Sequence, residues 1–229
     1  MKKLVALAAS AWMATVGLAA ADDPVVIELY TSQGCSSCPP ADKLLHDLAK
    51  SDDIIALALH VDYWDYIGWK DEFANPAFAE RQRAYSRVAG KRSVYTPQMV
   101  IGGQDHVIGT KPAEVKALLR QHAEKSNSVD LDVTRSGGKF VISARTAQPT
   151  RMLVQVVRYT PQSTVAIKRG ENAGRTLDYT NVVKDWQVVK KWDGRAPLRL
   201  TASTSGADRA VVIIQRDGHR EILAAAHLN

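Results

Sequence analysis

Cysteine is scarce in this chain, and its scarcity excludes several classes of protein. Only two of the 229 residues are cysteines, Cys35 and Cys38. Two thiols cannot form the multiple disulfides that hold small secreted scaffolds together. No second cysteine pair and no His-x-x-x-His follows, so the usual ligand sets of zinc are incomplete. The pair can therefore bond to itself, to another metal or to a partner.

Long hydrophobic runs are absent after residue 21. Before it, Lys2 and Lys3 precede the mostly apolar stretch 4–18, and three alanines follow at 19–21. This order is typical of a secretory signal peptide, and the apolar stretch is shorter than the roughly 20 residues of a membrane span. We predict a signal peptide over residues 1–21, a periplasmic or secreted protein, and no stable membrane anchor after cleavage. A retained anchor is the alternative.

Concentrated charge is also lacking. The chain carries 30 Lys and Arg against 24 Asp and Glu, a formal net charge of +6, and the basic residues are scattered. Nucleic-acid-binding proteins gather such residues on one patch or stripe, so we expect no nucleic-acid partner. The loop Gly170–Arg175 lacks the Lys-Ser/Thr of a phosphate-binding loop. We therefore expect no nucleotide and no other cofactor.

The first half of the chain alternates strand and helix patterns. A strand at Val25–Tyr30, a helix ending near Lys50 and a strand at Ile54–Val61 form a βαβ unit. A hairpin around Gly102-Gly103 and a helix capped by Thr110 follow later. The order is that of a small α/β domain with one long interruption.

The interruption covers residues 62–92 and has helix signals of its own. Asn75 is a good N-cap, Pro76 suits a first helical turn and Gly90 is a natural stop. They predict an inserted helix over about 76–89. With βαβ before the insertion and ββα after it, we predict one α/β domain over residues 22–126.

The pattern changes near residue 127 to short segments of strand character. Candidates include Met152–Tyr159, Thr164–Ile167 and Trp186–Val189, and turn signals such as Asp217-Gly218 separate some of them. Several short strands at this spacing predict an all-β, sandwich-like C-terminal domain over residues 127–229.

Cys35 and Cys38 lie where the first strand passes into the first helix. The unpaired N–H groups of a helix start favour a thiolate, and a second thiol at i+3 is close enough to resolve a mixed disulfide. Cys35 is the predicted nucleophile and Cys38 the resolving thiol. An inert structural disulfide is one alternative, although so short a loop would add little stability. A Cu(I) site that includes His60 is another.

Three segments resemble a known family. They are Glu28–Asp42 around the cysteines, His60–Tyr66 after the second strand, and Gly170–Arg175 in the second half. They resemble a bacterial family of secreted thioredoxin-like proteins, a domain family of unknown function, and the resemblance covers nearly all of the chain after the signal. It implies a thioredoxin-like fold for the first domain and a redox-active pair, but no substrate.

The resemblance to the thioredoxin-like superfamily implies roles at two further positions. The superfamily places a cis-proline opposite the cysteines, and Pro97 stands at that place; a cis bond would expose the backbone of Thr96 to an extended substrate. The superfamily also keeps a buried acid as proton acceptor for the resolving cysteine, for which Glu28 is the candidate. The alternative is a Glu28 that reaches solvent or pairs with a lysine.

Aromatic residues are few, yet five of them fall within residues 63–73. They predict either packing around the inserted helix or a wall that binds substrate, with Trp64 the best candidate for substrate contact.

Pro39 and Pro40 depart from the thioredoxin pattern. A proline inside a helix lacks the N–H that the preceding turn needs, so we predict a helix that begins at Cys38 or Pro39. Such a start would weaken the stabilisation that the positive end of the helix dipole gives to the Cys35 thiolate.

The sequence as a whole predicts a thiol–disulfide oxidoreductase that acts on protein or peptide thiols and disulfides. A thioredoxin-like binding protein with a structural disulfide, and a Cu(I)-binding protein, are the alternatives.

Overall fold

A computed structural model describes residues 24–125, 127–137, 139–203 and 209–228. The predicted signal peptide lies outside the described residues. The described helices are α1 (Pro39–Leu48), α2 (Pro76–Val88) and α3 (Pro112–Ala123), with a short 3-10 helix at Asp65–Ile67. Within these ranges, no helix combines the length and apolarity that a membrane crossing requires.

Eleven strands are formed by the described residues. In chain order they are β1 (Val25–Thr31), β2 (Ile54–His60), β3 (Gln98–Ile101), β4 (Asp105–Ile108), β5 (Val129–Ser136), β6 (Lys139–Thr146), β7 (Met152–Ala166), β8 (Thr176–Trp192), β9 (Leu198–Ala202), β10 (Arg209–Arg216) and β11 (Ile222–Leu228).

One mixed sheet contains strands from both halves of the chain, in the order β11-β10-β7-β8-β2-β1-β3-β4. β1 and β2 are parallel, and β8 joins β2 through a bridge between Ala58 and Val182. A second sheet, β5-β6-β9, packs on the part of the first sheet that β7, β10 and β11 form, through a core that includes Phe140 and Val212. The fold is thus a mixed α/β sheet with helices and a large C-terminal β-rich region, as predicted at that level. The division into domains at residue 127 stays a prediction.

The prolines mark where the helices begin. Pro39, Pro76 and Pro112 are the first residues of α1, α2 and α3, a position where the missing N–H has no helical partner to lose. The side chain of Asn75 caps α2 by accepting a hydrogen bond from the Ala77 N–H at 3.0 Å. The sequence prediction for both α1 and α2 is confirmed. α3 differs, because it begins after Lys111 and does not use Thr110 as its cap.

Alternate residues of β1 face opposite layers of the protein, as the pleat of a strand requires. Ile27 and Leu29 pack in the core beneath α1 and α3. Val26 and Tyr30 pack in the core beneath α2. Glu28 shares the α2 face, which decides its role in the site.

β7 and β8 form one long hairpin, where the sequence predicted separate short strands. Pro161 lies within β7, and the pairing with β8 skips it because proline has no N–H to donate. Across from it, Asn181 has a φ of 51° and donates its side-chain N–H to the Ala56 carbonyl of β2 at 2.8 Å. The hairpin therefore continues past the proline and carries its tip, residues 167–175, to the cysteine end of the sheet.

Candidate functional site

The two cysteines form a disulfide in the loop between β1 and α1, with their sulfurs 2.08 Å apart. Cys38 is the N-cap of α1, so the helix begins where the two prolines predict and Cys35 precedes it. Cys35 is 3% exposed and Cys38 is fully buried. Of the two cysteines, only Cys35 retains any exposed surface.

Thr96 contacts the sulfur of Cys35 directly. Its hydroxyl donates to Cys35 Sγ at 3.2 Å and accepts from the indole N–H of Trp64 at 2.8 Å. The peptide bond between Thr96 and Pro97 is cis. The structure thus brings the three residues predicted to bind substrate to the same side of Cys35.

The aromatic segment divides between surface and packing. Trp64 stacks on Tyr66 with ring centroids 6.3 Å apart, and Tyr66 is 79% exposed. Trp69 instead donates its indole N–H to the Gln33 side chain at 2.7 Å, and Phe73 packs in an edge contact with buried rings. Tyr66 is therefore exposed, whereas Trp64 is half-buried and contacts Thr96.

Glu28 lies on the opposite side of the sheet from α1. Its carboxylate accepts two hydrogen bonds from Arg81, at 2.8 and 2.9 Å, and one from each hydroxyl of Tyr30 and Tyr85. The guanidinium of Arg81 also lies 3.7 Å from the ring centre of Trp186. The structure does not bring Glu28 to the cysteines. Glu28 pairs with a cation, as one alternative allowed, but the cation is a buried arginine.

The loop Gly170–Arg175 holds the cysteine loop in place. The side-chain amide of Asn172 donates to the carbonyl oxygens of Gln33 and Cys35, at 2.9 and 3.0 Å. Glu171 accepts from the Ser36 N–H at 3.3 Å. The sequence analysis did not predict that this loop contacts the cysteine loop. The available signal was that both loops lie in segments that resemble the same family.

A buried polar cluster lies beside the disulfide, at the carboxyl ends of β1 and β2. His60 Nδ1 is 2.7 Å from Asp71 Oδ2, and Asp71 also accepts from the backbone N–H of Gln33 at 2.8 Å. The ring of Tyr179 lies 4.9 Å from that of His60. Asp42, in the first turn of α1, completes the cluster.

Two groups in this cluster have displaced pKa values. Burial raises the pKa of Asp42 to about 7, although His60 and the nearby hydroxyl of Thr31 act in the opposite direction. Burial, with Asp42 and Asp71 close by, raises the pKa of Tyr179 well above its ordinary value. Asp42 therefore exchanges protons near neutral pH, while the Tyr179 hydroxyl stays protonated.

In the described part of the chain, no group of three or more His, Cys, Asp and Glu side chains is arranged to hold a metal ion. His60, the third ligand of the Cu(I) hypothesis, has its Nδ1 engaged by Asp71.

Comparison with known proteins places the chain among homologues. A family described as a protein of unknown function, DUF1223, matches residues 26–215. The crystal structure of a protein from Agrobacterium tumefaciens is 33% identical, with a TM-score of 0.77 over 89% of this chain and 93% of that one. HBP35 of Porphyromonas gingivalis shares the fold at 12% identity, with a TM-score of 0.59 over 90% of this chain and 74% of that one. None of the curated proteins matches.

Proposed function

The chain belongs to the DUF1223 family, whose function is unknown, and we propose that it is a periplasmic or secreted thiol–disulfide oxidoreductase. The observation that carries the proposal is the hydrogen bond from the Thr96 hydroxyl to Cys35 Sγ. A donor aimed at this sulfur would stabilise the thiolate that exchange requires. An inert disulfide needs no such donor.

We infer that the scaffold of residues 22–126 is thioredoxin-like. Support comes from the strand order β2-β1-β3-β4, from α1 and α3 on one face of that sheet, and from the cysteine pair at the N-terminus of α1. Pro97, whose peptide bond is cis, precedes β3 and follows the threonine that contacts Cys35. These features match what the family resemblance implies for such a scaffold.

The proposed reaction proceeds in two exchange steps. In the reduced protein, the Cys35 thiolate attacks one sulfur of a substrate disulfide and forms a mixed disulfide, and the other substrate sulfur leaves as a thiolate that solvent protonates. Cys38 then attacks Cys35 Sγ, which releases the second substrate thiol and forms the Cys35–Cys38 bond. Two electrons pass from the cysteine pair to the substrate, and the reverse sequence oxidises a dithiol.

Protein or peptide thiols and disulfides are the proposed partners. Tyr66 is exposed and stacks on the half-buried Trp64, which is linked through Thr96 to the Cys35 sulfur. Aromatic side chains of this kind dominate binding in many protein interfaces. The low exposure of Cys35 favours an extended segment over a folded surface.

The function is tested by following reduction of a protein disulfide by dithiothreitol with and without the purified protein. We expect the native protein to accelerate the reaction, Cys35→Ser to abolish the acceleration, and the loop variant Ser36→Ala to retain most of it. If the native protein gives no acceleration and exchanges no disulfide with glutathione, the proposal is wrong.

A binding protein with a structural disulfide is the second candidate, and the burial of both cysteines favours it. The two candidates differ in redox potential. A reduction potential well below about −300 mV is typical of structural disulfides and would support the second candidate.

A further inference from the structure

Unpaired buried polar atoms gather at one place in this protein. Among the described residues, the buried side-chain atoms without a hydrogen-bond partner are Thr31 Oγ1, Gln33 Nε2, Asp42 Oδ1, His60 Nε2 and Tyr179 OH. Three of these atoms belong to the cluster beside the disulfide, and the Thr31 hydroxyl lies near Asp42. Gln33 joins the cluster through its backbone N–H, which donates to Asp71. Buried polar groups are nearly always paired, so a concentration of unpaired ones calls for a functional explanation.

The hydrogen bonds of the cluster fix which of these atoms accept protons. Asp71 accepts from the backbone N–H groups of Gln33 and Phe73, so it acts as an acceptor toward His60 as well. His60 Nδ1 therefore donates to Asp71, while Nε2 has no partner among the described residues. Asp42 Oδ1 is an acceptor of the cluster, with the Thr31 hydroxyl nearby.

Asp42 lies one helical turn from Cys38. Cys38 has helical backbone angles, with φ −78° and ψ −36°, and its carbonyl accepts the Asp42 N–H at 3.1 Å. Side chains at i and i+4 of a helix are neighbours on the same face. Glu28 has no such relation, because its side chain lies on the α2 face of the sheet.

Asp42 also connects the buried site with solvent. It lines a cleft of about 380 Å³ between α1 and β8, together with the charged or titratable side chains of Lys43, His46, Arg175 and Asp178. A proton taken up by Asp42 therefore has a route to water that avoids the substrate side of Cys35.

We propose that Asp42, supported by the His60–Asp71 pair, accepts the proton of the Cys38 thiol when the mixed disulfide is resolved. The role rests on the proposed function. As the S–H bond of Cys38 breaks, its proton passes to the Asp42 carboxylate and its electron pair forms the bond to Cys35 Sγ. The bond between Cys35 and the substrate sulfur breaks, and the substrate leaves as a thiolate that is protonated by solvent.

The pKa of Asp42 agrees with this role. Burial raises it to about 7, so that the carboxylate form is available near neutral pH and the proton is readily passed on. The groups that face Asp42 are His60 on β2, Asp71 in the following loop and Tyr179 on β8, besides the cleft residues. Asp71 raises this pKa, whereas His60 and the Thr31 hydroxyl lower it.

The proposal is tested by rapid mixing of the reduced protein with a peptide disulfide and acid quenching, which separates formation from decay of the mixed disulfide. At pH 7 we expect Asp42→Asn to slow decay by about tenfold or more while formation is unchanged. The matched control is Asp47→Asn, an exposed acid on the same helix, which should decay at the native rate. His60→Gln should slow decay less and move its pH midpoint.

Each outcome has a distinct meaning. In the native protein, decay should accelerate with pH and level off above about 7, whereas in Asp42→Asn it should accelerate only near the ordinary pKa of a thiol, about 8.5. Two results would overturn the role of Asp42 and leave the proposed function intact, provided that the native protein forms a mixed disulfide. One is a mixed disulfide that decays as fast in Asp42→Asn as in the native protein. The other is a native decay rate with no pH midpoint below about 8. Native protein that forms no mixed disulfide overturns the proposed function and this role with it.

Discussion

At the scale of single residues, Thr96 connects the Cys35 sulfur with the indole of Trp64. Its hydroxyl donates to Cys35 Sγ and accepts from Trp64. Because one hydroxyl serves both contacts, its removal should affect both the chemistry and the binding of substrate. A valine at this position keeps the shape of the side chain and removes the donor.

We therefore predict that Thr96→Val slows reaction of the reduced protein with iodoacetamide at pH 7 by about tenfold, since a hydrogen bond to a charged group contributes about 1.5 kcal/mol. The measurement is the alkylation rate of Cys35 in a Cys38→Ser background. Ser37→Ala, which removes a longer contact of 3.4 Å to the same sulfur, is the control and should change the rate less. Equal rates for all three proteins would show that Thr96 does not stabilise the thiolate.

Asp42 should make the stability of the protein depend on pH. Its pKa is raised from 3.8 to about 7 in the folded protein, so between these values the folded state holds a proton that the unfolded state has lost. The free energy of unfolding therefore falls as pH rises from about 4 to about 7. Asp42→Asn lacks this dependence and should gain stability over the native protein across the window, by up to about 4 kcal/mol above pH 7. Urea unfolding of both oxidised proteins at pH 5 and pH 8 checks this, and a pH-independent difference would contradict it.

The residues of the site were predictable to different degrees. Cys35, Thr96 and Pro97 were identified from the order of the elements and the family resemblance. Glu28 was assigned to the cysteines because the superfamily that the chain resembles keeps a buried acid at a similar place. The sequence does not show which face of the first strand α1 covers, so it could not show that Glu28 lies on the other face. The role of Asp42 was not predicted, because it depends on the partners that burial gives it.

At the scale of secondary-structure elements, the start of α1 follows from covalent chemistry alone. Two successive prolines, Pro39 and Pro40, fit only the first turn of a helix, and α1 begins at Pro39. The long hairpin β7–β8 could not be predicted in the same way. Pro161 indicates a break in the strand, and only the pairing with β8 and the contact of Asn181 with Ala56 carry the strand past it.

The tip of this hairpin should stabilise the cysteine loop. Asn172→Ala removes the donor to the carbonyls of Gln33 and Cys35. The Cys35 carbonyl keeps the backbone N–H of Cys38 at 3.2 Å, whereas the buried Gln33 carbonyl loses its side-chain donor. We predict a loss of about 1–3 kcal/mol in the free energy of unfolding and faster amide exchange over residues 33–38. Glu171→Ala, which removes a long and exposed contact, is the matched control and should change the stability by less than about 0.5 kcal/mol. Equal effects of the two variants would contradict the role of Asn172.

At the scale of the whole molecule, a buried ion pair joins the two halves of the chain. Arg81 on α2 binds Glu28 of β1 and also donates to Gln215 of β10 at 3.1 Å, and it stacks on Trp186 of β8. The network therefore connects the α/β part with the β-rich region on the face opposite the cysteines. Its place in the fold indicates a role in stability.

Variants of the Arg81–Glu28 ion pair should change the free energy of unfolding without changing the rate of disulfide exchange. Arg81→Met leaves the Glu28 carboxylate buried without its cation, and we predict a loss of about 3–5 kcal/mol in the free energy of unfolding. Adding Glu28→Gln should recover part of the loss, because the unpaired charge is removed. The double variant should still resolve the mixed disulfide at nearly the native rate. A rate as low as that of Asp42→Asn would show that Glu28 takes part in the resolution step.

Exchange of disulfides by Cys35 in the folded protein is tested by incubating reduced Cys38→Ser protein with glutathione disulfide under native conditions, followed by mass spectrometry. We expect a glutathione adduct on Cys35 that forms faster than on an unfolded control, because the Thr96 donor stabilises the thiolate. An adduct that forms only after unfolding would contradict this expectation and would leave the Cys35–Cys38 bond as a structural disulfide.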